Sequence, residues 1–192
     1  MLRALRTFLR LGSPGEQPPA PGPAALVQVY LRAGRHYVEV LDRTRLAEAG
    51  YWITTGDVAV LAHDVTDAEL GEAVLQAIGR SRVEVAVPPR GAKLEAGLFR
   101  AMGVRSRRAA MEGTLACLVG REPARPTAAG AAGAAATEAH LRIESLLNGG
   151  TRGDGRGYRG LSEPQVVELP DGSAAAVVGQ AVRTSLRHAG VG

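Results

Sequence analysis

The sequence predicts an α+β fold in which two similar strand-strand-strand-helix halves share a mixed or antiparallel sheet, with the helices packed on one face. Three observations predict it. Short β-branched and aromatic runs lie between turn residues, two stretches show the apolar spacing of an amphipathic helix, and the order of features recurs about 108 residues later. With 45% hydrophobic and 22% charged residues, the composition is that of a globular domain.

Residues 1–24 are expected to form a flexible tail before a single domain that spans residues 25–192. Closely spaced prolines in this tail favour an extended, mobile chain. Within the domain, residues 122–137 are almost all small and predict a low-complexity surface loop. No apolar run approaches the ~20 residues that span a bilayer. The single cysteine, Cys117, excludes an internal disulfide framework and fits a reducing cytoplasm.

The first half is predicted to begin with a β-hairpin. Residues 25–30 and 36–41 are β-branched and aromatic runs on either side of Gly34 and Arg35, a pair that favours a tight turn. Residues 57–62 form a third short run of the same kind. We therefore expect three strands before the first helix.

The strongest helix signal follows these strands. Thr66 and Glu69 have the spacing of a capping box, in which each residue hydrogen-bonds the backbone amide of the other. Leu70, Val74 and Ile78 then recur every four residues, so they lie on one face of a helix. This pattern predicts an amphipathic helix packed on the sheet.

The second half repeats this order. Residues 114–120 and 141–146 predict a second hairpin, and Ser173 is placed to cap a second helix that ends before Gly190. Seven residues of the first half have a similar residue at a constant offset of 108 in the second half. They are residues 58, 61, 70, 71, 73, 74 and 78, which match Val166, Leu169, Val178, Gly179, Ala181, Val182 and Leu186. The domain is thus predicted to contain two repeats, about residues 25–103 and 104–190.

The residues that most often perform catalysis form no recognisable motif. The histidines are His36, His63, His140 and His188, and none of them lies at metal-ligand spacing from another. Cys117 lies within an apolar run, which is typical of a small buried residue and not of a nucleophile. Since phosphate-binding and nucleophile-elbow motifs are also missing from the sequence, we expect no catalytic residue, metal or cofactor.

Residues 148–161 are polar and rich in glycine. Arg152, Asp154 and Arg156 among these glycines could form an anion-binding nest or an RNA-binding segment, or simply a flexible turn. The turn is the preferred interpretation, and contact with a protein is the preferred functional one. Three aromatic residues beside turns are candidate anchors of a protein interface, although each could equally belong to the core: Tyr51, Trp52 and Tyr158.

Several short motifs of the second half resemble the immunity proteins of bacterial contact-dependent growth inhibition systems. Val104-Arg105-Ser106 with Glu112-Gly113 resembles that family's opening motif. The other matching segments are Asn148-Gly149, residues 156–161, residues 167–170 and residues 179–182. In the first half, residues 69–74 resemble the same closing helix, which ends at Ser81-Arg82. The resemblance spans most of residues 26–188.

The resemblance implies a cytoplasmic, non-enzymatic inhibitor that binds the C-terminal toxin domain of a secreted effector and blocks it by occlusion. The residues expected to bind this cognate toxin domain are Tyr51, Trp52, Arg152, Asp154, Arg156 and Tyr158. The alternative is a small Arg-rich nucleic-acid-binding protein, since 22 of the 23 basic residues are arginine. Aromatic residues make up only 4% of the chain, which disfavours nucleic-acid binding by base stacking. An enzyme with a site built from scattered residues is a third possibility, and the oligomeric state is left open.

Overall fold

The α+β class is confirmed by a computed structural model that describes residues 22–45, 50–124, 138–150 and 157–191. The elements, in chain order, are β1 (Ala25–Arg32), β2 (Arg35–Arg43), β3 (Trp52–Leu61), α1 (Asp67–Arg80), α2 (Ala96–Ala101), α3 (Arg107–Met111), β4 (Leu115–Glu122), β5 (His140–Asn148), β6 (Tyr158–Gly160), β7 (Val166–Pro170), α4 (Ala175–His188) and β8 (Gly190–Val191). None of the helices in these ranges is long and apolar enough to cross a membrane.

Within the described residues the strands form one sheet in the order β3-β2-β1-β4-β5-β6. β7 pairs with the first half of β5 and β6 with its end, so these two short strands follow each other along β5. The sheet is antiparallel except for β8, which pairs with β5 in parallel. The two predicted hairpins, β1-β2 and β4-β5, meet at the centre of the sheet through the antiparallel β1-β4 pair.

The two long helices, α1 and α4, lie on one face of the sheet, as predicted. Alternate residues of the four central strands point toward them, because successive side chains of a strand face opposite sides. Val74 of α1 and Val182 of α4 are fully buried in this core, together with Val27 and Val38 of the sheet. The four-residue spacing of the sequence therefore identified the buried faces of both helices.

The two long helices cross through their N-terminal halves at a pair of glycines. A Cβ added to Gly71 of α1 would collide with the backbone of Ala175, and one added to Gly179 of α4 would collide with the backbone of Asp67. Arg183 of α4 also donates hydrogen bonds to the Asp67 carboxylate, at 2.6 Å, and to the carbonyl of Val65. Gly71 and Gly179 are matched positions of the sequence repeat, but the two-repeat organisation itself stays a prediction.

The opposite face of the sheet, called the second face here, carries two short helices that the sequence did not predict. Leu98 of α2 and Met102 pack against Tyr30 and Tyr37 and form a second, smaller core there. α2 lies close to β3 because a glycine, Gly97, contacts the backbone of Gly56. With six and five residues, α2 and α3 are too short for a helical period to stand out in the sequence. Helices thus lie on both faces of the sheet, the long pair on one and the short pair on the other, whereas the sequence predicted helices on one face only.

The hairpin and the helix cap of the first half are confirmed, but the turn lies one residue earlier than predicted, because Arg35 is already the first residue of β2. Ala33 and Gly34 both have positive φ, at 48° and 77°, which is the conformation of the two-residue turn that suits a hairpin. The capping box is complete: the Glu69 amide donates to the Thr66 hydroxyl at 3.2 Å and the Thr66 amide donates to the Glu69 carboxylate at 2.8 Å.

The predicted cap of the second long helix is wrong. The hydroxyl of Ser173 donates to the carbonyl of Pro170 at 2.8 Å and closes the turn after β7, so it does not cap α4. α4 begins at Ala175, so Ala174 occupies the N-cap position, one residue after Ser173. The side chain of an alanine cannot accept a hydrogen bond from the helix amides.

Most of the two predicted flexible segments lies outside the described residues. Of residues 1–24, the structure describes 22–24, where the amide of Ala24 donates to the carbonyl of Arg121 at 2.8 Å and extends the ladder beside β1. Of residues 122–137, it describes 122–124, and Glu122 is the last residue of β4. The flexibility of both segments stays a prediction.

Candidate functional site

Two of the candidate anchors, Tyr51 and Trp52, lie where β3 begins at the edge of the sheet. The side chain of Tyr51 is 40% exposed. Its backbone is held by Thr44, whose amide and hydroxyl donate to the Tyr51 carbonyl at 3.0 and 3.2 Å. Trp52 is half-buried, and the guanidinium carbon of Arg43 lies 5.9 Å from the centre of its ring, within cation–π range. Both aromatic side chains are therefore held by a rigid backbone and remain partly accessible.

The third aromatic anchor, Tyr158, lies over the second face. Its ring meets that of Tyr30 edge to face, with centroids 5.5 Å apart and an interplanar angle of 63°. Burial raises the pKa of the Tyr158 hydroxyl, and the nearby charges of Arg107 and Arg32 oppose that rise only in part. Tyr158 thus supports the small core, and the structure does not bring it together with Tyr51.

The remaining candidates, Arg152, Asp154 and Arg156, lie outside the described residues. The structure does describe the base of their loop, where the amide of Gly149 donates to the carbonyl of Gly157 at 3.0 Å and the amide of Gly157 to that of Gly150 at 2.8 Å. These bonds join the two ends of the segment, so residues 151–156 lie between fixed points.

Asn148 attaches this loop base to the body of the protein. Its buried side-chain amide donates to the carbonyls of Met111 and Thr114 at 2.6 and 2.8 Å, and its oxygen accepts from the amide of Gly150 at 3.0 Å. Gly149 and Gly150, the described base of the loop, are thereby held beside the end of α3.

A cavity of about 170 Å³ lies between the second face and the short helices. No pattern in the sequence indicates this cavity. Its lining residues are Gln28, Tyr30, Thr54, Glu95, Leu98, Phe99, Met102, Arg107, Ala110, Met111 and Tyr158. Glu95 and Arg107 are partly exposed and form an ion pair with 3.5 Å between Arg107 Nε and Glu95 Oε1. We call this space the second-face cavity.

A buried carboxylate lies beside this cavity. Glu39, directly opposite Gln28 in the β1-β2 ladder, is fully buried, and its Oε2 accepts a hydrogen bond from the Tyr30 hydroxyl at 2.8 Å. Burial raises the pKa of Glu39 to about 7, the negative charge of Glu95 adds to the rise, and the Tyr30 hydrogen bond opposes it. Burial, followed by the charge of Glu39, also raises the pKa of Tyr30. No local signal in the strand HYVEVL marks Glu39 as buried, because the alternation of the strand places it where a solvent-facing residue is expected.

Two groups of the kinds that often act as nucleophiles or ligands, Cys117 and His36, are buried. Cys117 is buried as predicted, and burial raises the pKa of its thiol to about 12, so the thiolate does not form near neutral pH. Burial lowers the pKa of His36, and the charge of Arg183 lowers it further. The described part of the chain contains no group of three or more side chains suited to hold a metal ion.

The fold is shared with solved structures of low sequence identity. A protein of unknown function from Neisseria meningitidis has a TM-score of 0.62 and 14% identity, covering 86% of this chain and 94% of that one. A chain of a CdiA-CT/CdiI toxin and immunity complex from Yersinia pseudotuberculosis has a TM-score of 0.54 and 17% identity, covering 86% of this chain and 97% of that one. No model of a known family and no curated sequence matches. The similarity therefore shows a common fold.

Proposed function

We propose that this protein is a cytoplasmic immunity protein that binds and neutralises the C-terminal toxin domain of a contact-dependent growth inhibition effector. The observation that carries the proposal is the fold it shares with a chain of a CdiA-CT/CdiI toxin and immunity complex, over 86% of its length. Residues 104–106, 148–149 and 156–161, which resemble immunity proteins of that kind, favour the immunity role over the toxin role. Fold alone does not determine function, so the site must supply the rest of the argument.

Inhibition by occlusion fits the surface that the structure describes. A stable interface buries about 800 Å² of each partner and depends on a few aromatic and arginine anchors. Tyr51 and Trp52, with Arg43 above the indole, provide such a group on an ordered strand. We propose that they form one part of the interface and that Arg152, Asp154 and Arg156 form another.

The proposal includes the absence of turnover. Cys117, whose thiol stays protonated, and His36, which burial keeps neutral, both lie inside the protein, where no substrate reaches them. Occlusion of a toxin needs no reacting group of the inhibitor, so the burial of these two residues is compatible with this role.

Nucleic-acid binding is the less favoured alternative, in part because six of the sixteen arginines that the structure describes are paired with carboxylates. Phosphate binding needs clustered, available cations, whereas these side chains lie against carboxylates. The pairs are Arg80–Asp57, Arg82–Asp42, Arg107–Glu95, Arg121–Asp171, Arg142–Glu144 and Arg183–Asp67.

The proposal expects a toxin domain to be encoded beside this gene, and the test is co-expression with that domain, with survival and co-purification as the readouts. We expect survival and a stable complex. Tyr51→Ala and Trp52→Ala should each weaken binding by about 1–4 kcal/mol, or roughly fivefold to several hundredfold in Kd. Val177→Ala is the matched control, since Val177 is an exposed apolar residue (44%) on α4, across the sheet.

Two results would contradict the proposal. The first is death of cells that contain abundant folded protein, with no complex recovered. The second is binding of RNA or DNA whose affinity falls steeply with salt, which favours the nucleic-acid alternative. Thermal unfolding of each variant separates lost binding from lost folding, which matters most for the half-buried Trp52.

A further inference from the structure

The second-face cavity has the size of a site for one small ring. Its volume of about 170 Å³ is below the ~300 Å³ of the smallest drug-sized pockets. It is close to the ~150 Å³ of an engineered protein cavity that binds benzene. The most exposed side chains of its lining, Arg107 at 56% and Glu95 at 40%, mark its open side. One small molecule, or the end of one side chain, therefore fills this space.

Two polar side chains of the lining lack a partner inside the protein. Within the described residues, Gln28 Nε2 and Thr54 Oγ1 are buried atoms that make no hydrogen bond, and both residues line the cavity directly. Folded proteins leave few buried polar atoms unpaired, because each such atom loses its hydrogen bonds to water without replacement. The hydroxyl of Tyr30, which also lines the cavity, gives its proton to Glu39 instead, at 2.8 Å. Gln28 and Thr54 therefore offer hydrogen bonds to the occupant of the cavity.

The lining carries no net charge, which favours a neutral occupant. Its two charged residues, Glu95 and Arg107, pair with each other, with 3.5 Å between Oε1 and Nε. A cation in the cavity would lie near Arg107 and an anion near Glu95, so an ion of either sign would meet a like charge. The occupant that fits this lining is therefore a neutral group that forms hydrogen bonds.

The apolar part of the lining is aromatic and contains two sulfur atoms. Its walls include the rings of Tyr30, Phe99 and Tyr158 and the thioethers of Met102 and Met111. Aromatic rings pack favourably against one another edge to face, and methionine sulfur makes favourable contacts with aromatic rings. An aromatic ring therefore gains more from these walls than an aliphatic group of the same size.

We propose that the second-face cavity binds a small phenol, with its ring against the aromatic walls and its hydroxyl directed at Gln28 and Thr54. A phenolic hydroxyl both donates and accepts hydrogen bonds. It therefore pairs with Gln28 whichever end of that side-chain amide faces the cavity, and with the Thr54 hydroxyl in either direction. The phenol is either a free molecule or the tyrosine side chain of a bound protein. The proposal does not depend on toxin binding, because every lining residue belongs to this chain.

The experiment is an NMR titration of the full chain with p-cresol, toluene and 4-methylcyclohexanol. Toluene lacks the hydroxyl of p-cresol, and 4-methylcyclohexanol lacks its aromatic ring. We expect p-cresol to cause saturable shifts of the Gln28 side-chain amide and of the methyl groups of Met102 and Met111. It should bind about tenfold more tightly than either of the other probes, which corresponds to about 1.4 kcal/mol.

Thr54→Val tests the contact with the hydroxyl, because valine keeps the shape of threonine and removes the polar atom. It should lower the affinity for p-cresol about fivefold, the effect of one ordinary hydrogen bond, and leave the affinity for toluene unchanged. Thr184→Val is the matched control, since it makes the same change on α4, on the other side of the sheet, and should alter neither affinity. Thr54→Val removes a buried hydroxyl that has no partner, so we expect it to fold, and thermal unfolding of both variants checks this.

Nα-acetyl-tyrosinamide distinguishes the two sources of the phenol. If it binds as p-cresol does, the cavity accepts a tyrosine side chain of a protein, and if only p-cresol binds, the ligand is a free phenol. No saturable shift at Gln28 would show that the cavity holds water alone. Equal affinity for toluene or 4-methylcyclohexanol would show that the cavity does not select a phenol. Either of these last two results overturns the proposal, and neither bears on toxin binding, which co-expression tests separately.

Discussion

Replacing Gly71 by alanine is expected to force the two long helices apart. Gly71 lies in the middle of the first two turns of α1, where an added Cβ would overlap the backbone of Ala175 at the start of α4. Backbone atoms cannot rotate away as a flexible side chain can, so one helix must shift. Gly179→Ala should have the same effect, because its Cβ would overlap the backbone of Asp67.

The magnitude is the difference between two opposing effects. Overpacking of a well-packed contact costs about 1–3 kcal/mol, and the rigid backbone here favours the upper part of that range. Alanine is the better helix former by about 0.5–1 kcal/mol. We therefore expect Gly71→Ala to lower the free energy of unfolding by about 1–2 kcal/mol. In a domain of this size that is a fall in Tm of roughly 2–8 °C.

The same helix provides the control. Gly79 is exposed near the end of α1, and a Cβ added to it meets nothing within 4 Å. Gly79→Ala should thus show the propensity gain alone, a rise of about 1–2 °C for about 0.5 kcal/mol. Urea and thermal unfolding of the unchanged protein, Gly71→Ala and Gly79→Ala measure the cost of overpacking and the gain in helix propensity. If Gly71→Ala is as stable as Gly79→Ala, the two long helices do not approach each other as closely at Gly71 as the structure indicates.

Three further predictions concern the two cores and the loop base. Val74→Asp and Val182→Asp should each cost more than about 3 kcal/mol, since each places a charge at a fully buried helix position; normal folding of only one would refute their equivalence. Burial raises the pKa of Glu39 to about 7 in the folded protein, against 4.5 for an ordinary glutamate, so only the unfolded chain releases this proton between the two values. The free energy of unfolding should therefore fall by up to about 3 kcal/mol as the pH rises from 4.5 to 7. Urea unfolding at several pH values measures this fall, and Glu39→Gln should abolish it. Asn148→Ala leaves two buried carbonyls without their donor and should cost about 2–4 kcal/mol by urea unfolding; a smaller loss than 1 kcal/mol would show that Asn148 does not hold the loop base.

The first half of the chain was predictable because its signals are local. The turn at Gly34 needs positive φ, and the capping box of Thr66 and Glu69 involves residues three apart. Such features are complete within a few residues of sequence. Ser173 had only half of the capping-box signal, since Ala176 stands three residues later where the first half has Glu69, and its hydroxyl donates to the carbonyl of Pro170 instead.

The second-face cavity was not predictable from local patterns. The period-2 alternation of β1 and β2 was visible, but it does not say whether the outer face is covered. α2 and α3 cover it, and they are too short to be recognised. Gln28, Tyr30 and Glu39 therefore read as an ordinary solvent-facing row, and only the folded chain shows that Glu39 is fully buried. A cavity lined by β1, β3, β6 and two short helices depends on contacts between residues far apart in sequence.

The motif residues that resemble immunity proteins build the frame of the fold. The hydroxyl of Ser81 donates to the carbonyl of Leu41 at 2.5 Å and accepts from the amide of Leu26 at 3.1 Å, which fixes the end of α1 to the sheet. Asn148 fixes the loop base in the same manner. Because the side chains of Ser81 and Asn148 bind groups inside the protein, they stabilise the fold and do not distinguish one partner from another. If the proposed function holds, accessible residues such as Tyr51, together with residues 151–156, must determine which toxin is bound. Exchanging residues 151–156 should therefore change the partner. Replacing Asn148 should instead unfold the base of that loop.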